Sequence, residues 1–225
     1  MPTISLPLGH PALRFEAAAG DPRAREMVKA AYGLLDEAGL EGLTIRAVLA
    51  RTGLARRAFY ENFSGKDDLV LAVFERTIRM AADYYREHAK ALLTPMERLG
   101  MIVTSIGLGA ANIDSKRNTD AVRSGDRRSA ALSREHLRLA DTRPRELQVA
   151  LAPLLALMAE QVRDGIAAGQ VRACDPELQA SLIYNLVSTT VHTELIAEEG
   201  ARPNRKRRRQ LAEELWDFCR RAIAA

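Results

Sequence analysis

The chain has 225 residues, 47% of them apolar and 28% charged, a globular composition that excludes disordered and collagen-like chains. Five Phe, five Tyr and one Trp leave the core to Leu, Ala, Val and Ile, a mixture that favours helices over sheets. The net charge of +4, with a pI near 9.3, permits a polyanionic partner without requiring one. Only five of the 33 basic residues are lysine, so any single arginine carries little information by itself. Cys174 and Cys219 stand far apart with no His or Cys at ligand spacing around them, so neither a metal nor a redox pair is expected. Pro2, Pro7 and Pro11 interrupt a start that lacks a signal-peptide pattern, and no run of eighteen apolar residues occurs; a cytoplasmic, non-membrane protein is expected.

Residues 1–20 read as a flexible arm. Asp21-Pro22 then caps and opens a helix with Met27, Ala31, Leu34, Leu35 and Ala38 on one face, ending at Gly39. Thr44 caps a short helix carrying Ile45, Val48 and Leu49, which Gly53 closes, and a third short helix covers roughly residues 55–62. Ser64 and Asp67 have capping-box spacing before a long helix striped by Val70, Phe74, Thr77, Ile78, Ala81 and Tyr85. Thr94-Pro95-Met96-Glu97 is a clearer helix start, followed by Leu99, Ile102, Val103 and Ile106. The polar stretch 114–130 predicts a loop or short helices. Pro144 opens a long helix ended by Gly169; Asp175-Pro176 starts one that is apolar over much of its circumference; the last begins near Asn204. No period-two strand is seen, and the expected fold is all-α.

The informative segment runs from Thr44 to Leu69. Two short helices joined at Gly53-Leu54-Ala55 and preceded by a supporting helix form a helix-turn-helix, whose second helix suits a DNA major groove. Arg46, Arg51, Arg56 and Arg57 fall between residues 44 and 57, where there is no acid. Leu54, Phe59 and Phe63 can hold the reading helix on its scaffold, and Gly53 allows the turn a positive φ. Tyr60 points away from that core and can reach a phosphate, as can Lys66 and the Thr44 helix start.

Gly39; Thr44, Arg46 and Val48; Gly53, Leu54, Ala58, Phe59, Tyr60 and Phe63; and Lys66, Asp67 and Leu69 stand at the spacing of the TetR family of transcriptional regulators, which residues 25–72 resemble. The resemblance implies a helix-turn-helix head at 21–66, a ligand-binding and dimerisation domain at 67–225, a near-palindromic duplex DNA operator, and release from it by a small-molecule effector. It implies a homodimer through the last two helices, each broadly apolar. The candidate DNA contacts are Thr44, Arg46, Ala55, Arg56, Arg57, Ala58, Tyr60, Asn62 and Lys66. Ala55 stands where relatives carry a capping Ser, at a cost of roughly 0.5–2 kcal/mol in local helix stability. Arg57 stands beside Arg56 where Gly is common, and an arginine pair at that point favours guanine-containing half-sites.

Tyr84, Tyr85, Ile106, His136, Met158, Asn185 and His192 are the candidate ligand-binding residues, with satisfied core polar groups as the competing reading. Arg14 is a candidate minor-groove contact, and a solvated tail is the plainer reading. The basic run at 202–210 reads as a solvated turn in preference to a nucleic-acid tract. No cofactor, metal or catalytic set is expected. A DNA-free interaction module and a small helical enzyme are the alternative classes.

Overall fold

The computed structural model describes residues 21–108, 119–197 and 204–225, with the side chains of 119–127 outside that description. The expected arm with Arg14, and residues 202–203 of the basic run, lie outside the described residues. Among the described residues the architecture is all-helical: α1 (Pro22–Gly42), α2 (Ile45–Thr52), α3 (Arg56–Asn62), α4 (Lys66–Ala89), α5 (Pro95–Leu108), α6 (Thr119–Thr142), α7 (Pro144–Ala167), α8 (Pro176–Ala197) and α9 (Arg205–Ile223).

The head is α1 to α3, and its boundaries follow local chemistry. Asp21 accepts the Arg23 amide at 2.8 Å, with Pro22 in the first helical turn. Gly39, with φ 63° and ψ −159°, kinks α1 in a conformation open essentially to glycine alone, and the helix resumes to Gly42 instead of ending there. The Thr44 hydroxyl accepts the Ala47 amide at 3.1 Å, and Gly53 closes α2 in the left-handed region at φ 68°. Ala55 has the extended backbone of a cap but offers no side-chain hydrogen bond to α3. Met27, Leu35, Leu43, Val48, Phe59 and Phe63 form the buried core that holds the three helices together.

Two expectations need correction. The turn into α4 is fastened by Ser64 and Asp68, not by Ser64 and Asp67: the Asp68 carboxylate accepts the Ser64 amide at 2.9 Å and its hydroxyl as well. The stretch expected as a loop or short helices is, from Thr119 onward, the start of the 24-residue α6. An apolar stripe is legible only from Ala131, with Leu132 and Leu139 buried behind it, whereas at Arg128 the helix meets α1 through polar contacts.

In the body, α4 packs on α7, α7 on α8 and α5, and α9 on α5. Thr94 and Glu97 form the expected reciprocal capping box, at 2.9 and 3.2 Å. Gly169 ends α7 at φ 68°, and Asp175 caps α8 through the Glu177 and Leu178 amides. Asn204 caps α9 by accepting the Arg207 amide at 3.0 Å. The described part of the basic run forms the first turns of α9 and is exposed apart from Arg208, which is 6% exposed; Arg207 pairs with Glu194 at 2.9 Å.

Arginines of α6 and of the α6–α7 junction hold that segment to α1 of the head and to the start of α4. Arg128 pairs with Asp36 of α1 and lies 3.9 Å over the Tyr32 ring. Arg138 grips Asp67 with two bonds of 3.0 Å, and Arg143 meets Asp68 at 2.6 Å. Burial opposes ionisation of Asp68, but the Ser64 hydrogen bonds and Arg143 hold its carboxyl below the usual range.

A Cβ added at Gly100 would lie 2.7 Å from the Trp216 ring, so the α5–α9 contact has no room for a side chain. Gly100→Val is expected to destabilise the fold by about 1–3 kcal/mol, read by urea denaturation followed by circular dichroism. Ala55→Ser is expected to have the opposite sign, because the backbone already has cap geometry: a gain of roughly 0.5–2 kcal/mol, concentrated in slower amide exchange along α3.

Candidate nucleic-acid interface and ligand cavity

The exposed face of the helix-turn-helix is built on a buried aromatic pair. Phe59 and Phe63, 0% and 2% exposed, have ring centroids 5.5 Å apart and fix the rotation of α3 about its axis. Tyr60, one residue on from Phe59, is therefore turned outward, with its ring edge-on to Phe59 at 5.4 Å. Arg56 lies 5.5 Å from the Tyr60 ring centroid and donates to its hydroxyl at 3.2 Å, so cation and phenol form one unit on the helix surface. Thr44, Arg46, Ala55, Arg56, Arg57 and Tyr60 are all exposed.

Not every expected contact residue is available in the way the sequence reading supposed. Ala58 is buried, so it supports α3 from within. Asn62 donates to the Ala58 carbonyl at 2.9 Å and closes the end of α3. Lys66 donates its ammonium to the Leu40 carbonyl at 3.1 Å, tying α4 to the kinked end of α1. The cost of an unmatched carbonyl beyond the Gly39 kink makes that tie the better use of the lysine. Arg51 is bonded on both nitrogens to Glu37, at 2.9 and 2.5 Å, which holds the Glu37 carboxyl below its ordinary range. The acid-free run of the sequence is thus partly neutralised by acids from outside it. Arg57 meets Glu61 at 3.0 Å but is 90% exposed, and such a surface pair is worth little and exchanges readily.

A cavity of about 760 Å³ lies in the body, lined by residues of α1, α4, α5, α6, α7, α8 and α9. Of the expected ligand residues, Tyr84, Tyr85, Ile106, His136 and His192 line it. Two do not: Met158 is fully buried in the core, and Asn185 is exposed on the outside of α8. The His136 ring lies between Phe74 and Tyr184, at centroid distances of 5.7 and 5.8 Å. Burial, with a smaller effect from nearby His192, holds its pKa below the ordinary imidazole value. His192 Nδ1 is 3.1 Å from the Ser133 hydroxyl. Tyr184, Tyr32, Arg128 and Arg208 also line the cavity and escaped the sequence reading. Tyr184 sits on a helix apolar on several faces, where no period marks the cavity side. Arg208 is hidden in a basic run whose other described members are exposed.

Residues 27–73 match the family of bacterial regulatory proteins, tetR family. A search of curated proteins finds no match. Among solved structures, the fatty acid degradation regulator FadR from Bacillus halodurans is 16% identical at a TM-score of 0.64, covering 88% of this chain and 95% of its own. A tetR-family transcriptional regulator from Mesorhizobium loti is 16% identical at 0.59, covering 97% of this chain and 100% of its own. RolR, solved with resorcinol bound, is 15% identical at 0.63, covering 94% of this chain and 90% of its own. At such identities the solved structures speak for the fold, while the matched segment coincides with the helix-turn-helix head and the first turns of α4. Over residues 27–73 the chain thus matches the tetR family of bacterial regulatory proteins, and over most of its length it shares the fold of these solved structures.

Proposed function

We propose that the protein is a cytoplasmic, homodimeric transcriptional repressor that reads a near-palindromic DNA site and leaves it when a small molecule enters the body cavity. In this reading residues 21–66 are the DNA-binding head and 67–225 the ligand-binding and dimerisation domain. The observation that carries it is the exposed Arg56–Tyr60 unit with Arg57 at the start of α3, set on the buried Phe59–Phe63 pair. A groove reader needs cations and hydrogen-bond donors at the helix start, on a scaffold too rigid to let them turn away. Arg46 and Thr44 extend the same exposed surface as phosphate contacts.

The dimer reading is supported by an apolar stripe that the described residues leave uncovered. Leu178, Leu182 and Leu186 recur one helical turn apart on α8 and are 58%, 54% and 37% exposed, and Phe218 on α9 is 64% exposed. Two copies meeting on these helices would form a four-helix bundle and present two reading helices about one DNA turn, or 34–36 Å, apart. A cavity that touches α1 and the body helices together offers an effector leverage on that separation.

Fluorescence anisotropy with duplexes from DNA adjoining the protein's own gene tests the first part. Wild-type binding is expected to fall steeply as salt rises, and Arg56→Ala/Arg57→Ala to weaken specific binding by at least tenfold with little change in stability; a flat salt profile or an unaffected double variant would sink the reading. For the dimer, Leu182→Glu/Phe218→Glu is expected to halve the mass seen by sedimentation equilibrium, and a variant that keeps the wild-type mass counts against this interface.

A further inference from the structure

The cavity's polar groups are arranged by charge. Four charged side chains line it, Asp36, Arg128, Glu194 and Arg208, two of each sign. Arg128 pairs with Asp36, Glu194 accepts Arg207 from just outside the lining at 2.9 Å, and Arg208 is engaged within the fold. The other polar lining residues are serines, threonines, tyrosines and two histidines. Tyr85 of α4 and Tyr184 of α8 are each 5% exposed and line the same space. Burial raises both phenols above their ordinary range, so they stay protonated and can donate. The His136 ring stands beside Tyr184 and is held in its uncharged form.

Two protonated phenols on one cavity wall are hydrogen-bond donors, and a ligand that displaces water from the cavity must offer them an accepting oxygen or leave them unpaired. A net charge brought into the same space would lose its hydration and meet a lining whose four charged side chains are each already engaged. We infer that the cavity takes an uncharged, largely apolar molecule carrying a hydroxyl or carbonyl oxygen, which Tyr85 and Tyr184 hold by hydrogen bonds while Ile78, Leu132 and Leu154 enclose its hydrocarbon body. The inference rests on the reading of this cavity as the effector site and adds the chemical class and the polar anchor.

The test uses the full chain and three probes of one chain length: 1-decanol, 2-decanone and decanoate, measured by isothermal titration calorimetry near neutral pH. The alcohol and the ketone are expected to bind at least tenfold more tightly than the carboxylate. Tyr85→Phe/Tyr184→Phe, which keeps both rings and removes both hydroxyls, is expected to weaken the alcohol and the ketone about tenfold or more while its circular dichroism and melting curve stay those of a folded protein. Decanoate binding as tightly as decanol, or an unchanged affinity in the double phenylalanine variant, overturns the assigned class and anchor and leaves the cavity as an effector site. Failure of all three probes to bind the wild-type protein overturns both.

Discussion

Helix α1 is held from two sides, and the arrangement of the whole molecule follows from that. One side buries Met27, Ala31 and Leu35 in the core that carries Phe59 and Phe63, so α1 sets where α3 lies and which way it is turned. The other side meets α6 through Tyr32 and Asp36, both engaged by Arg128. Apolar packing is not directional, but an arginine fixed by an ion pair and a ring face is, and it tolerates little rotation of one helix against the other. A displacement of α6 therefore reaches α1 as a change in a specific contact.

The same division between packing and charge recurs at the joint with the body. Asp67 and Asp68 open α4, where acidic groups suit the exposed amides of a helix start, and both are taken up by arginines of the α6–α7 segment. The Arg143–Asp68 pair is partly shielded from solvent, which makes it less sensitive to salt than the exposed pairs along the helices. With Lys66 bound to the Leu40 carbonyl, three consecutive residues fasten the start of α4 to three separate neighbours. The long helix α4 is thus the rigid element running from the head to the cavity, where its residues Phe74, Ile78 and Tyr85 form part of the wall.

Within the wall, the polar groups divide by position. Charged residues on the lining are compensated by one another or by neighbours, whereas the buried phenols of Tyr85 and Tyr184 and the ring of His136 are neutral. In surroundings of low polarity the uncharged forms are the stable ones, so burial itself sets the chemistry the cavity offers.

The sequence by itself determined whatever depends on near neighbours in the chain. The helical class followed from composition, the caps at Asp21, Thr44 and Thr94 from residue types a few positions apart, the Gly53 turn from the need for positive φ, and the outward-facing Tyr60 from its step beyond Phe59. Tertiary structure alone decided which charges remain free and which polar groups share a space. Arg51 is spent on Glu37, Lys66 on the end of α1, and Arg128 on Asp36, each across a separation with no periodic signature. Tyr184 and Arg208 join Tyr85 and His136 in one cavity only because α8 packs on α5, α6 and α7 and α9 packs on α5. Local hydrogen bonds and helical periods act over one or two turns, but a cavity and its ion pairs exist only after distant helices have packed.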